Sequence, residues 1–142
     1  PSRVINVASI AHTRGRLHDT DLSLAAGWTG YAAYAQSKLA NVMHALTLAD
    51  RHDPQKLVAY SAHPGVVSTK LLRQGFGPVA GMTPETAAKN VVRLAASVAS
   101  DEPSGSYFSE GVATPPSATA RDASMREKLW QLSTRLAKLP GG

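Results

Sequence analysis

The 142-residue chain is long enough to bury a sizeable core, and its 43 % apolar and 18 % charged content excludes a disordered protein. No apolar stretch approaches the roughly 20 residues that cross a bilayer as a helix, and zero cysteines exclude disulfides, thiol nucleophiles and cysteine-ligated metals. The net charge of +5 is spread along the sequence without interleaved aromatics, which points to a solvated surface and away from a nucleic-acid groove.

Residues 3–8, Arg3-Val4-Ile5-Asn6-Val7-Ala8, are apolar and β-branched and predict a buried strand. The apolar run is too short for a signal peptide, which fits a cytoplasmic protein. A core strand with so little before it suggests a missing upstream part. Residues 9–16 read as a polar turn region, and residues 17–29, with acids, glycine and an exposed-looking Trp28, as a loop or short lid.

Gly30 to about Arg51 reads as a long helix, because Leu39, Val42, Met43, Leu46 and Leu48 form one broad apolar stripe. Pro54 ends it by disfavouring helical geometry at Asp53. Leu57-Val58-Ala59-Tyr60-Ser61-Ala62 is mostly apolar and predicts a central strand of a parallel sheet. It runs into His63-Pro64-Gly65-Val66-Val67-Ser68-Thr69. A short helix over Thr69 to Arg73 follows, broken by Gly75-Phe76-Gly77-Pro78.

Thr83 as N-cap, Pro84 at the first helical position and Glu85 in the first turn predict a helix. It should reach about Ala99, with Ala87, Val91, Val92, Leu94 and Ala95 inward. Residues 101–105 predict a turn, 106–109 a short strand and 112–119 an extended connector. A final amphipathic helix over 121–138 places Met125, Leu129, Trp130, Leu132 and Leu136 near one side, and residues 139–142 fray. The alternation of strands and helices points to an α/β fold with a parallel sheet, residues 1–142 forming one partial domain.

The chemistry starts with Tyr34 and Lys38, four residues apart and so on one helix face. A cation beside a phenol favours phenolate, and such a tyrosine can pass a proton to or from an alcohol oxygen. Parallel sheets bind ligands at the carboxyl ends of their strands. Ser9 ends the first strand, the Tyr34 helix packs beside it, and His63-Pro64-Gly65 ends the second. Each feature alone is commonplace: a surface pair, a strand-end hydroxyl, a turn. Their order makes them a constellation.

His12, His18, His44, His52 and His63 lack metal-binding spacing and read as surface or satisfied core residues, although His63 adjoins the constellation. Ser9, His12 and Asp19 invite a hydrolase triad, but no Gly-x-Ser-x-Gly elbow surrounds Ser9. Trp28 and Tyr31 suit either substrate access or core packing.

Val4-Ile5-Asn6-Val7-Ala8-Ser9, Tyr34-Ala35-Gln36-Ser37-Lys38-Leu39-Ala40-Asn41 and His63-Pro64-Gly65-Val66-Val67-Ser68-Thr69 closely resemble the short-chain dehydrogenase/reductase family. Three further features look like the branch holding retinol dehydrogenases and WW-domain oxidoreductases. These are the Ser37-Lys38-Leu39-Ala40-Asn41 continuation, Ser104-Gly105-Ser106-Tyr107-Phe108 and the long gap from Ser9 to Tyr34.

The resemblance implies a Rossmann-type sheet and hydride transfer between NAD or NADP and an alcohol or carbonyl substrate. It makes Ser9, Tyr34 and Lys38 catalytic. Tyr34 would be the general acid/base, Lys38 would support it and hold the nicotinamide ribose, and Ser9 would bond the substrate oxygen. Cofactor binding would fall to Tyr34, Lys38, Pro64, Gly65, Val67 and Thr69. A homodimer is implied by family analogy, with no metal and no nucleic acid.

The family usually has two serines where this chain has Ala8-Ser9. Its Gly-rich pyrophosphate turn, its residue selecting NAD or NADP and its upstream asparagine have no counterpart here. Gly75-Phe76-Gly77-Pro78-Val79-Ala80-Gly81 is not read as that turn. The chain is therefore expected to be a C-terminal part of an enzyme, inactive alone, with a catalytically incompetent interaction module as the alternative.

Overall fold

The computed structural model describes residues 1–77, 80–96 and 102–139. Strand β1 (Ser2–Val7) leads into a 3₁₀ turn (Ile10–Arg14), and helix α1 spans Gly30–Arg51. Strand β2 (Leu57–His63) and helices α2 (Lys70–Phe76) and α3 (Pro84–Ala96) follow. Strands β3 (Tyr107–Ser109) and β4 (Val112–Ala113) precede helices α4 (Ala118–Arg121) and α5 (Ala123–Leu136).

The sheet order is β1-β2-β3-β4. The pairs β1–β2 and β2–β3 are parallel and β3–β4 antiparallel. The parallel register sets Val7 beside Ala62 and His63 beside Ser109, so the strands end together at one rim. β2 is central, and its last five residues are buried. β1 is only partly buried, contrary to expectation, because among the described residues it pairs with β2 alone.

α1 covers one face of the sheet. Leu39, Val42 and Met43 are fully buried there with Ala8, Leu17, Tyr107 and Ala120. α3 covers the other face, where Leu94 packs with Tyr60, Ala62 and Phe108. The layering follows the strand period of two, which sends alternate residues of β2 to opposite faces.

Glycine allows the closest approach in the molecule. A Cβ on Gly15 would stand 2.5 Å from the Ala35 carbonyl oxygen and 2.8 Å from Leu39 Cβ. The 3₁₀ turn therefore lies directly on α1, with no side chain between them.

Residues 17–29 form a loop, in agreement with expectation, packed down where Leu17 and Leu24 are buried and where the Gln36 side chain bonds His18 N and the Leu22 carbonyl, both at 2.9 Å. Other local expectations change. Helix α2 runs through Gly75 to Phe76 instead of breaking there. α3 turns Val92 outward, 57 % exposed, and buries Ala87 and Leu94. Residues 112–113 pair as β4 instead of forming only a connector. The last helix is divided at Asp122, whose extended backbone (ψ 110) ends α4 and whose carboxylate caps α5 through Met125 N at 3.0 Å. The expectations for residues 97–99 of the helix, Asp101 of the turn, Pro78-Val79 and the terminal 140–142 lie outside the described residues.

Candidate active site

A cavity of about 650 Å³ opens at the rim where β1 and β2 end. Ser9, Tyr34, Lys38, Pro64, Gly65, Val67 and Thr69 all line it. Its volume falls in the range of small-molecule sites, about 300–1,000 Å³. The exposed apolar residues Val7, Ile10, Tyr31 and Val66 also border it, so its mouth is apolar. Tyr31 thus belongs to the cavity, whereas Trp28, 66 % exposed, is not among the residues that line it.

Helix α1 supplies Tyr34 and Lys38. Thr29 starts the helix by accepting from Ala32 N at 3.1 Å. Lys38 Nζ donates to the Val7 carbonyl at 3.1 Å, and Asn41 Nδ2 donates to the same oxygen at 2.9 Å. Two donors on one carbonyl tie the end of β1 to α1. The ammonium also stands 5.7 Å from the centroid of the Tyr34 ring. An ammonium carries three N–H groups, so two remain after the bond to Val7.

Ser9 is 7 % exposed and caps the 3₁₀ turn. Its Oγ accepts from Ala11 N at 3.2 Å, an arrangement that uses a lone pair and leaves the O–H to donate. The carbonyl of Ser9 is fixed separately, by His12 Nδ1 at 2.7 Å. His12 Nε2 accepts from Ser117 N at 3.2 Å, which requires the proton on Nδ1 in the neutral ring. The ring lies 4.7 Å from that of Tyr107. Both nitrogens of His12 are therefore engaged, neither with the Ser9 hydroxyl, and Asp19 pairs with Lys128 at 3.1 Å. The hydrolase triad is excluded.

The segment after β2 is shaped by Gly65, whose φ of +108 favours glycine. A Cβ there would lie 2.3 Å from Met82 Cε. Met82 pins the next residues, its N–H donating to the Val66 carbonyl at 2.8 Å and its carbonyl accepting from Ser68 N at 3.0 Å. Asn90 Nδ2 of α3 holds the Pro64 carbonyl at 3.2 Å.

Sequence reasoning missed the holding roles of His12, Asn41, Met82 and Asn90. The i, i+3 spacing of Ser9 and His12 in a tight turn is the one local signal among them. Among the described residues no group of three or more His, Asp or Glu could hold a metal. Nor is any helix there long and apolar enough to cross a membrane.

Burial pushes the imidazoles of His12 and His63 below their ordinary value of 6.5. At His63, Glu110 opposes this shift and His12 adds to it. As the pH falls below about 6.5, the unfolded chain takes up protons that the native rings refuse, so stability is full above that value and declines below it. Urea midpoints measured across this range are expected to fall before the carboxylates titrate near pH 4. A profile flat down to about pH 5 would contradict the burial of these rings.

No family model matches the chain. Among curated proteins it is similar to human retinol dehydrogenase 11, with 32 % identity over 99 % of this chain and 46 % of that protein. Human retinol dehydrogenase 12 is 34 % identical over 96 % of the chain and 46 % of that protein. Human dehydrogenase/reductase SDR family member 13 is 36 % identical over all of the chain and 41 % of that protein. The chain thus spans about half the length of the curated relatives it matches.

Among solved structures, an uncharacterized protein from Mycobacterium Paratuberculosis superposes with a TM-score of 0.71 at 30 % identity, over 97 % of this chain and 51 % of that one. Carbonyl reductase Sniffer of D. melanogaster gives 0.54 at 22 % identity, over 81 % and 40 %, a likeness of fold alone.

Proposed function

Because the chain belongs to the short-chain dehydrogenase/reductase family, on its retinol dehydrogenase side, we propose that this cavity is the catalytic half-site of an oxidoreductase acting on an apolar alcohol or carbonyl. The observation that carries the reading is the convergence of Ser9, Tyr34, Lys38 and residues 64–69 on one cavity at the carboxyl ends of two parallel strands.

The reduced form of NAD or NADP would supply the hydride to a carbonyl, and the oxidised form would take it from an alcohol. The donor set suits the nicotinamide and its ribose. Lys38 has N–H groups left for ribose hydroxyls, and the Gly65 turn brings backbone close to the cavity. Among the described residues no Gly-rich turn follows a strand into a helix, so nothing there suits the pyrophosphate.

In the direction of carbonyl reduction, the Tyr34 hydroxyl gives its proton to the substrate oxygen, and in the reverse direction takes it back. The Ser9 O–H donates to the same oxygen, holding it as negative charge develops. Lys38, fixed on the Val7 carbonyl, holds its ammonium 5.7 Å from the centroid of the Tyr34 ring, where it would offset charge that develops on the reacting oxygens. The apolar mouth suits a substrate with an apolar body.

The test is to assay the full-length protein for reduced nicotinamide with NAD and NADP against a series of apolar alcohols. Turnover with at least one pair is the expected result. No turnover with any pair, from folded protein, would overturn the reading. The 142-residue chain alone is expected to bind neither NADH nor NADPH tightly.

A further inference from the structure

His63 and His12 are both buried, at 6 % and 1 % exposure, yet they are treated differently. His12 is satisfied at both nitrogens. His63 is satisfied at the backbone, where its carbonyl accepts from Glu110 N at 2.9 Å. Among the described residues its ring makes no hydrogen bond, and it forms part of the cavity wall with Ser9 and Tyr34. The ring nitrogens are not among the sealed, unpartnered side-chain atoms of the described residues, so they are open to whatever the cavity holds.

We propose that the His63 ring is a ligand-binding group of the cavity, which hydrogen-bonds an uncharged group that both donates and accepts. This rests on the cavity being the oxidoreductase site. The strand places the ring: Ala59, Ser61 and His63 alternate onto the α1 side of β2, where Ala59 packs against Ala45 and Leu48. A neutral imidazole offers one donor and one acceptor, a pattern matched by a primary carboxamide or an alcohol.

Glu110 faces the ring from the turn between β3 and β4, His12 from the 3₁₀ turn, and Arg14, Tyr34 and Lys38 share the cavity. The two cations can meet anionic groups elsewhere in the cavity, while at the ring itself Glu110 and the neutral imidazole suit an uncharged partner. Two sources carry that chemistry: the carboxamide of the nicotinamide, or a polar group of the substrate.

The experiment compares His63→Leu and His63→Gln in the full-length enzyme, reading cofactor Kd by fluorescence and substrate KM and kcat by turnover. If the carboxamide is the ligand, His63→Leu weakens cofactor binding about tenfold, and the loss vanishes with a cofactor whose carboxamide is replaced by acetyl. If the substrate is the ligand, KM rises by about the same factor while cofactor Kd holds. His63→Gln keeps a donor and an acceptor and is expected to stay within about threefold of the parent.

Should His63→Leu fail to fold, His63→Gln still decides through its pH profile. The parent binds its ligand more weakly in acid as the ring protonates, and the glutamine protein does not. Cofactor Kd and substrate KM both within about twofold of the parent in folded His63→Leu, or the same acid profile in His63→Gln, would overturn the proposal. Tyr34→Phe separates the two failures. Its inactivity beside an unaffected His63→Leu sinks this inference alone, whereas absence of turnover in the folded parent sinks the oxidoreductase reading.

Discussion

Replacing Tyr34 by phenylalanine is expected to lower turnover of the full-length enzyme by about 10²- to 10⁴-fold, the usual worth of a positioned acid/base group. The substitution removes one oxygen and keeps the ring, so the packing of α1 and the neighbourhood of Lys38 survive. Cofactor Kd should change by less than about threefold, because Lys38 stays anchored on the Val7 carbonyl and residues 64–69 are untouched. The result that separates chemistry from binding is a fall in kcat at nearly constant KM. Turnover within about twofold of the parent would remove Tyr34 from the proton transfer, whatever the cavity binds.

The second large effect is structural. Leu39 is completely buried between α1 and the sheet, one residue from Lys38 and beneath Gly15. Leu39→Ala is expected to cost about 2–5 kcal/mol, from lost transfer free energy and from the cavity left behind. Leu39→Met, which nearly conserves volume, should cost less than about 1.5 kcal/mol. Urea unfolding of the two proteins, with their slopes compared to confirm a common transition, measures the difference. A loss in Leu39→Ala of under about 1 kcal/mol would mean that the turn can settle onto α1 without this side chain.

Much of the frame was legible because local and long-range signals agreed. In α1 the apolar stripe and the Pro54 stop both pointed to Gly30–Arg51, the bounds observed. The three motifs also read correctly as strand ends and helix face, since the parallel register brings Ser9 and His63 to one rim. The family and its partial span were readable from the same motifs.

What escaped depends on geometry that no window of sequence contains. The hairpin joining β3 to β4 has positive φ at both Glu110 (51°) and Gly111 (85°), as tight two-residue hairpins require. Glutamate is a poor signal for that conformation, so β4 looked like connector. Asp122 sits between residues that could all continue a helix, and its choice to cap instead shows only in the backbone. His12 meets Ser117 across 105 positions of sequence. The cavity wall formed by His63 could be guessed from its neighbour Pro64, but the empty hydrogen-bonding capacity of its ring could not.

The bare contact of Gly15 with the Ala35 carbonyl acts as a ruler. It sets how near the serine-bearing turn can come to the tyrosine-bearing helix, and its limit is the hard-core repulsion of two main chains. A spacing fixed in that way is insensitive to rotamer changes in the surrounding core. The main chains that carry Ser9 and Tyr34 can thus keep their spacing while side chains around the cavity are exchanged.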